Sequence, residues 1–343
     1  MAYELIMSLI FMSPTGGDGF LNGEMRDAWE DGVTYRMPVD PLAVARVHRA
    51  VDWLREHLVT VSLPEDGSPL RVIAWKDPTL EPAAPKVLAG YLITDTLWAA
   101  KALKPIDPAR SSQIEEGLQR VGWYGNGLHE VLFHGVDPIR HRPLDEDFVH
   151  GLSLSRFPIQ GGQTVDGRVF RQAWDSEYTV GHPLLFTEHA VYQAMYDFWK
   201  GCRDQACRRI LTAITDERAT RSDDHTFWDD QAGVLVDHVT YEDWLAFRGG
   251  KSPSCRHYSF KLGVLLYAVR FLDLEQELGP RLDQMRRRLW DAQTLSGGIA
   301  HFVDVSAEGE VKRASEPTGE ASAIAILAET VAGHGGAKSP GAR

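Results

Sequence analysis

Two opposite kinds of helical run alternate along this chain, and that alternation constrains the fold more than any other feature. Residues 86–103, 184–199, 260–272 and 321–332 are apolar nearly all round. Residues 42–58, 109–121, 204–214 and 281–293 are amphipathic, with a charged stripe. A helix without a polar face must be covered on every side, whereas one with a charged stripe lies against the outside of a core. Each buried run is followed after a short connection by an exposed one, so neighbours pair as helical hairpins.

Proline marks where these runs begin. Pro41, Pro85, Pro108, Pro183, Pro280 and Pro317 each stand just before or inside the start of a helical pattern, where the missing N–H costs nothing. Asp40 and Asp107 precede two of them and are placed to cap the free amides. After each exposed run comes a glycine turn and a short alternating, β-prone stretch, at 66–75, 125–136, 229–239 and 296–305. The repeated unit is thus exposed helix, glycine turn, short strand, buried helix. Stacked units bury faces that one unit cannot bury alone. The expected fold is all-α: a toroid of helical hairpins over residues 1–332, with short β-hairpins in its connections. Residues 137–180 break the pattern, and 161–174 read as a β-hairpin about Asp166-Gly167. This insertion is expected to form a lid or site wall, and 333–343 a disordered tail.

Charge and cysteine content narrow the partners. A formal charge of −12 with no basic face argues against nucleic acid. Cys202, Cys207 and Cys255 form neither a disulfide framework nor a paired zinc motif, which fits a reducing cytoplasm. Residues 2–12 are apolar but too short to span a bilayer. They read as a buried first helix, with peripheral membrane contact as the alternative.

The run RLWDAQTLSGGI at 288–299 ends a charged helix with an aromatic residue, then glutamine, then a glycine turn. It is similar to the QW-type repeat of the terpenoid cyclase and prenyltransferase toroid superfamily, and VDWLREH at 51–57 is a weaker version with His57 in place of glutamine. ITDTLWAAKAL at 93–103 resembles the stretch after the catalytic aspartates of class II terpene cyclases. Where that family carries a DxDD-type motif, this chain has Leu92-Ile93-Thr94-Asp95. The resemblance implies an isoprenoid substrate, no cofactor, and Asp95 as the acid that protonates an alkene or epoxide. Burial would keep such a carboxyl neutral at working pH. Tyr91 and Trp98 flank Asp95 by about one helical turn, and aromatic faces of this kind stabilise carbocations.

A second chemistry fits the carboxylates as well. Glu188 lies in a buried run and Glu320 at the start of the last one, where the helix dipole favours an acid. Paired carboxylates are what glycoside hydrolysis needs. The alternative is therefore a carbohydrate-active hydrolase, lyase or epimerase drawing on Glu177, Glu188, Asp229, Asp230 and Glu320; capping is the competing role for Glu320. In either chemistry Tyr91, Trp98, His182, Tyr192, Trp228, His257, Tyr258 and Lys261 are the candidates for holding a small-molecule substrate. Asp223-Asp224-His225 reads as a solvated acidic turn. His129, His134, His141, His150, and His257 with Cys255 show no compact metal-ligand spacing, so no metal is expected. Phosphate-loop, dinucleotide and nucleophile-elbow motifs are absent from the sequence.

Overall fold

A computed structural model of the chain describes residues 34–62, 69–73, 90–120, 131–133, 136–137, 142–143, 163–165, 168–170, 202–215, 226–237 and 239–332, together with Thr187, Ala190, Val191, Ala194 and Phe198. Asp40 opens α1 (Pro41–His57), its carboxylate accepting from the Leu42 and Ala43 amides at 3.3 and 3.0 Å. An antiparallel pair follows, β1 (Leu58–Ser62) with β2 (Pro69–Ile73). Next come β3 (Gly90–Leu92), α2 (Ile93–Leu103) and α3 (Pro108–Arg120). β4 (Val131–Phe133) pairs with β3, and β5 (Val136–Asp137) with β6 (Arg142–Pro143). The expected hairpin about Asp166-Gly167 is found as β7 (Gln163–Val165) against β8 (Arg168–Phe170). Beyond these strands, the 137–180 insertion lies outside the described residues, as do residues 1–33 and the 333–343 tail.

The second half contains α4 (Arg203–Thr215), β9 (Phe227–Asp229), β10 (Val234–Val236), α5 (Tyr241–Arg248), β11 (Ser254–Tyr258), α6 (Ser259–Phe271), α7 (Glu275–Leu278), α8 (Pro280–Asp291), β12 (Phe302–Ser306), β13 (Val311–Arg313) and α9 (Gly319–Thr330). Every residue of α9 is buried, and every residue of α6 except Arg270. α9 packs on α2, α6 and α1, while the amphipathic α8 lies against α6.

The buried helices run parallel. At their starts, the Ser259 amide donates to the His301 carbonyl (3.0 Å) and the Thr318 amide to the Ile299 carbonyl (3.1 Å), so one short stretch of chain holds the N-terminal ends of α6 and α9 together. In their second turn, Gly263 meets Ile324 so closely that an added Cβ would sit 2.7 Å from its Cγ2. At their ends, Arg270 Nη1 donates to the Ala328 carbonyl at 2.9 Å. α2 takes the same direction: the Ile73 amide donates to Thr96 Oγ1 (3.2 Å), and Ile73 also packs on Gly319. Thr187, Ala190, Val191, Ala194 and Phe198 are helical and buried, and Phe198 meets Phe271 edge to face at 5.0 Å.

The expectation of an all-α toroid is wrong: the protein is an α+β mixture. Strands β9 to β13 form two antiparallel sheets, β9–β10 and β11–β12–β13. They are not appendages of the helical units. Phe227, Trp228, Val234 and Val236 of the first sheet, and Cys255, Val303 and Val305 of the second, belong to the core. β11 and β12 bury alternate residues, as a sheet with one covered face must. The sequence pattern registered the strands but treated them as connections, because three to five residues carry too little periodicity to reveal a buried sheet.

Two polar clusters staple the helical layer. Glu329, on the last turn of α9, accepts from Arg286 (3.0 and 2.6 Å) and from Trp290 Nε1 (2.9 Å), with Arg270 Nη1 at 3.6 Å. Gln293, in the run that resembles a QW repeat, accepts from Arg49 (2.6 Å) and donates to the Arg46 and Gly297 carbonyls (both 2.9 Å). It thereby ties the turn after α8 to α1. The chain ends of the described domain meet as well, through a bridge between Tyr35 and Val331. Among the described residues no helix is long and apolar enough to cross a membrane.

Gly298 lets this turn close on α1, since a Cβ there would lie 2.6 Å from the Trp53 ring and 2.7 Å from Pro317. Gly298→Ala is expected to lower stability by about 1–3 kcal/mol through overpacking. Leu295→Ala, at a fully exposed position of the same turn, is expected to be neutral. Calorimetric melting of both variants checks this, and equal melting temperatures would contradict it.

Candidate functional site

The parallel alignment gathers the N-terminal ends of α2, α6 and α9 at one end of the helical layer, where the Thr187 amide also reaches Asp237. Partial positive charge concentrates there, because the first amides of each helix have no partner within it. Acids follow at those positions. Asp95 is the third residue of α2 and Glu320 the second of α9.

Thr318 caps α9, its Oγ1 accepting from the Ala321 amide at 3.2 Å. A capping box would need its acid at the third helical position, which is Ala321. Glu320 stands one residue earlier, so the box does not explain it. It is buried even so.

Asp237 is the centre of the site. It directly follows β10, and its carboxylate receives donors from three directions. Lys261 Nζ lies 2.6 Å from Oδ2, the Thr187 amide donates to Oδ2 at 3.3 Å, and the Val239 amide donates to Oδ1 at 3.0 Å. Thr240 closes the turn by accepting the Asp237 amide at 3.0 Å. Asp237 is 1% exposed and Lys261 11%. A buried pair this close is maintained only when further hydrogen bonds satisfy the remaining groups, and the two amides do so for the carboxylate. Beside it the Thr187 and Thr226 hydroxyls are 2.8 Å apart. Lys261 Nζ also sits 5.4 Å from the Tyr258 ring centroid, and the His301 ring meets Tyr258 edge-on at 5.4 Å.

His257 precedes Tyr258 on the opposite face of β11 and is fully buried. Its Nδ1 accepts from the Leu235 amide at 3.2 Å, which fixes the proton on Nε2. Burial, aided by the Arg288 guanidinium, lowers its pKa to about 3. The imidazole is therefore neutral across the physiological range.

Of the predicted residues, Glu320, Lys261, Tyr258 and the backbone position of Asp95 share this end of the layer. Trp228 stands edge-on to His257 at 6.4 Å and donates from Nε1 to Gln284 at 3.2 Å. Trp98 is buried deeper in α2, edge-on to Tyr267 at 6.2 Å. Glu177, His182, Glu188, Tyr192, Asp223, Asp224 and His225 lie outside the described residues, as do the side chains of Tyr91 and Asp95. Asp229 and Asp230 do structural work. Asp229 accepts from the Gln231 and Ala232 amides and from Trp244 Nε1 (2.9, 3.1 and 2.7 Å), and Asp230 pairs with Arg281. Asp237, Thr187 and Thr226 were not anticipated. The available signal was an acid directly after the wholly apolar stretch VLV with Thr240 three residues on, the pattern of a side chain that caps its own turn.

Among the described residues, no group of three or more His, Cys, Asp and Glu side chains could hold a metal ion. No protein-family model, curated protein or solved structure matches this chain.

Lys261→Met leaves the Asp237 carboxylate buried with its countercharge gone. It is expected to cost about 3–5 kcal/mol of stability, and the double variant Asp237→Asn/Lys261→Met less than that single one. Chemical denaturation of the variants measures the coupling, and strictly additive losses would show that the two residues do not act as a pair.

Proposed function

We propose that the protein is an acid–base enzyme acting on a hydroxyl-rich small molecule of the carbohydrate class. The observation that carries this reading is the Lys261–Asp237 pair, set with Glu320 where the buried helices begin. A helix N-terminus favours the ionised form of a carboxyl. Glu320 and Asp95 thus occupy positions suited to carboxylates that accept protons or stabilise positive charge. Tyr258, half-buried beside Lys261, offers the aromatic surface on which a sugar ring can rest.

The isoprenoid-cyclase reading has one observation on its side. Trp98, about one turn beyond Asp95, lies with Tyr267 among buried apolar side chains. Its mechanism needs Asp95 neutral, however, and a first-turn position at this end of the layer works against that. The carbohydrate reading therefore ranks first.

Glu320→Gln removes the proton-accepting group while nearly preserving shape. Turnover of oligosaccharides, followed by release of reducing ends or unsaturated product, is expected to fall about 10²–10⁴-fold with the melting temperature little changed. Undiminished turnover in that variant, or wild-type turnover of prenyl substrates but not of oligosaccharides, would refute the proposal.

A further inference from the structure

The β9–β10 hairpin packs into the core through Phe227, Trp228, Val234, Leu235 and Val236, and polar contacts, Asp230 with Arg281 among them, fix its backbone against β11 and α8. His257 Nδ1 accepts the Leu235 amide at 3.2 Å. Arg288 Nε donates to the Gly233 carbonyl at 2.7 Å, and Gln284 Nε2 to the Asp230 carbonyl at 3.0 Å. Two residues beyond Leu235 stands Asp237, which anchors Lys261 and the Thr187 amide. We infer that the hairpin is an acid-released latch: a proton on His257 Nδ1 ejects the Leu235 amide and loosens Asp237 from Lys261 and Thr187. This holds whatever substrate the protein takes.

Chemistry at His257 allows little else. In the neutral ring Nδ1 is an acceptor, and once protonated it is a donor facing another donor. No other hydrogen bond compensates, since Nε2 is buried without a partner among the described residues. The charged group facing the ring is Arg288 of α8, so a second positive charge would arise next to the first. The neighbouring Cys255 thiol is kept protonated by burial first, and then by Asp243 of α5, Asp229 of β9 and Asp304 of β12. On the other face of the strand, Tyr258 is flanked by His301 and Lys261.

The sign follows from linkage. Closed, His257 titrates at about 3; released into water, it titrates at the ordinary 6.5. Above that value both states are neutral and release is independent of pH. Below it the released state takes up a proton that the closed state refuses, so the opening constant rises about tenfold per pH unit. Between pH 6.5, where the released ring is already half protonated, and pH 4.5 the rise is about 50-fold.

Amide hydrogen exchange on the full chain, corrected for the intrinsic rate at each pH, reads this opening directly. Protection of residues 234–236 is expected to fall about 50-fold over that interval, with α9 protected as before. His257→Asn, whose Oδ1 can accept the Leu235 amide without titrating, is expected to abolish the dependence. A constant protection of the hairpin in the wild-type protein, or an equal fall in α9, would overturn the inference. Should His257→Asn fail to fold, the wild-type comparison of hairpin with α9 decides alone.

Discussion

A helix buried on every side, α9, is the constraint from which the rest of the structure follows. It has no polar face to give to water, so each of its flanks must be occupied, and α1, α2 and α6 occupy them. Its sequence, GEASAIAILAET, permits this because small residues bring neighbouring backbones near. Gly263 extends the same principle to α6, where Ile324 fills the space that a side chain would need. Close contact at that level, with shared hydrogen bonds at both ends, leaves α6 no direction other than parallel to α9.

Parallel packing has an electrostatic consequence. Antiparallel neighbours cancel their dipoles, whereas parallel ones add partial positive charge at one end and negative charge at the other. The protein answers each end with opposite charge. Asp237 and Glu320 stand at the N-terminal end, with Asp95 at the start of α2. Arg270 and Arg286 stand at the C-terminal end around Glu329, together with Trp290. The C-terminal cluster is saturated with donors and reads as a staple. At the N-terminal end an ion pair, two threonine hydroxyls and a half-buried tyrosine lie together, and the proposed chemistry rests on that grouping.

Much of the helical layer could be read from the chain itself. The proline at the start of α1, α3 and α8 falls where each helix begins, because its fixed φ and absent N–H suit that position alone among helical ones. All-round apolar character marked α6 and α9 as buried, and both are. The strands were harder. Their residues alternate correctly, but whether a short alternating stretch connects helices or builds a sheet depends on partners such as β11 and β12, about fifty residues apart in sequence. Glu320 and Lys261 were legible as candidates because each sits at the start of an apolar helix. Asp237 was not, since its role exists only through Lys261 and Thr187, which the fold brings to it from 24 and 50 residues away. His257 was expected among substrate-binding groups, and its burial beneath a hairpin follows from the β-sheet that periodicity did not reveal.

The parallel arrangement of the buried helices is the claim on which the site depends, and nuclear Overhauser contacts in a methyl-labelled sample test it most directly. Cross-peaks are predicted from the Ile324 γ2 methyl to the Gly263 α protons and from the Ile73 δ1 methyl to those of Gly319. Cross-peaks from Ile324 to the last turn of α6 in place of Gly263 would mean that the helices run in opposite directions, and the shared N-terminal site would then not exist.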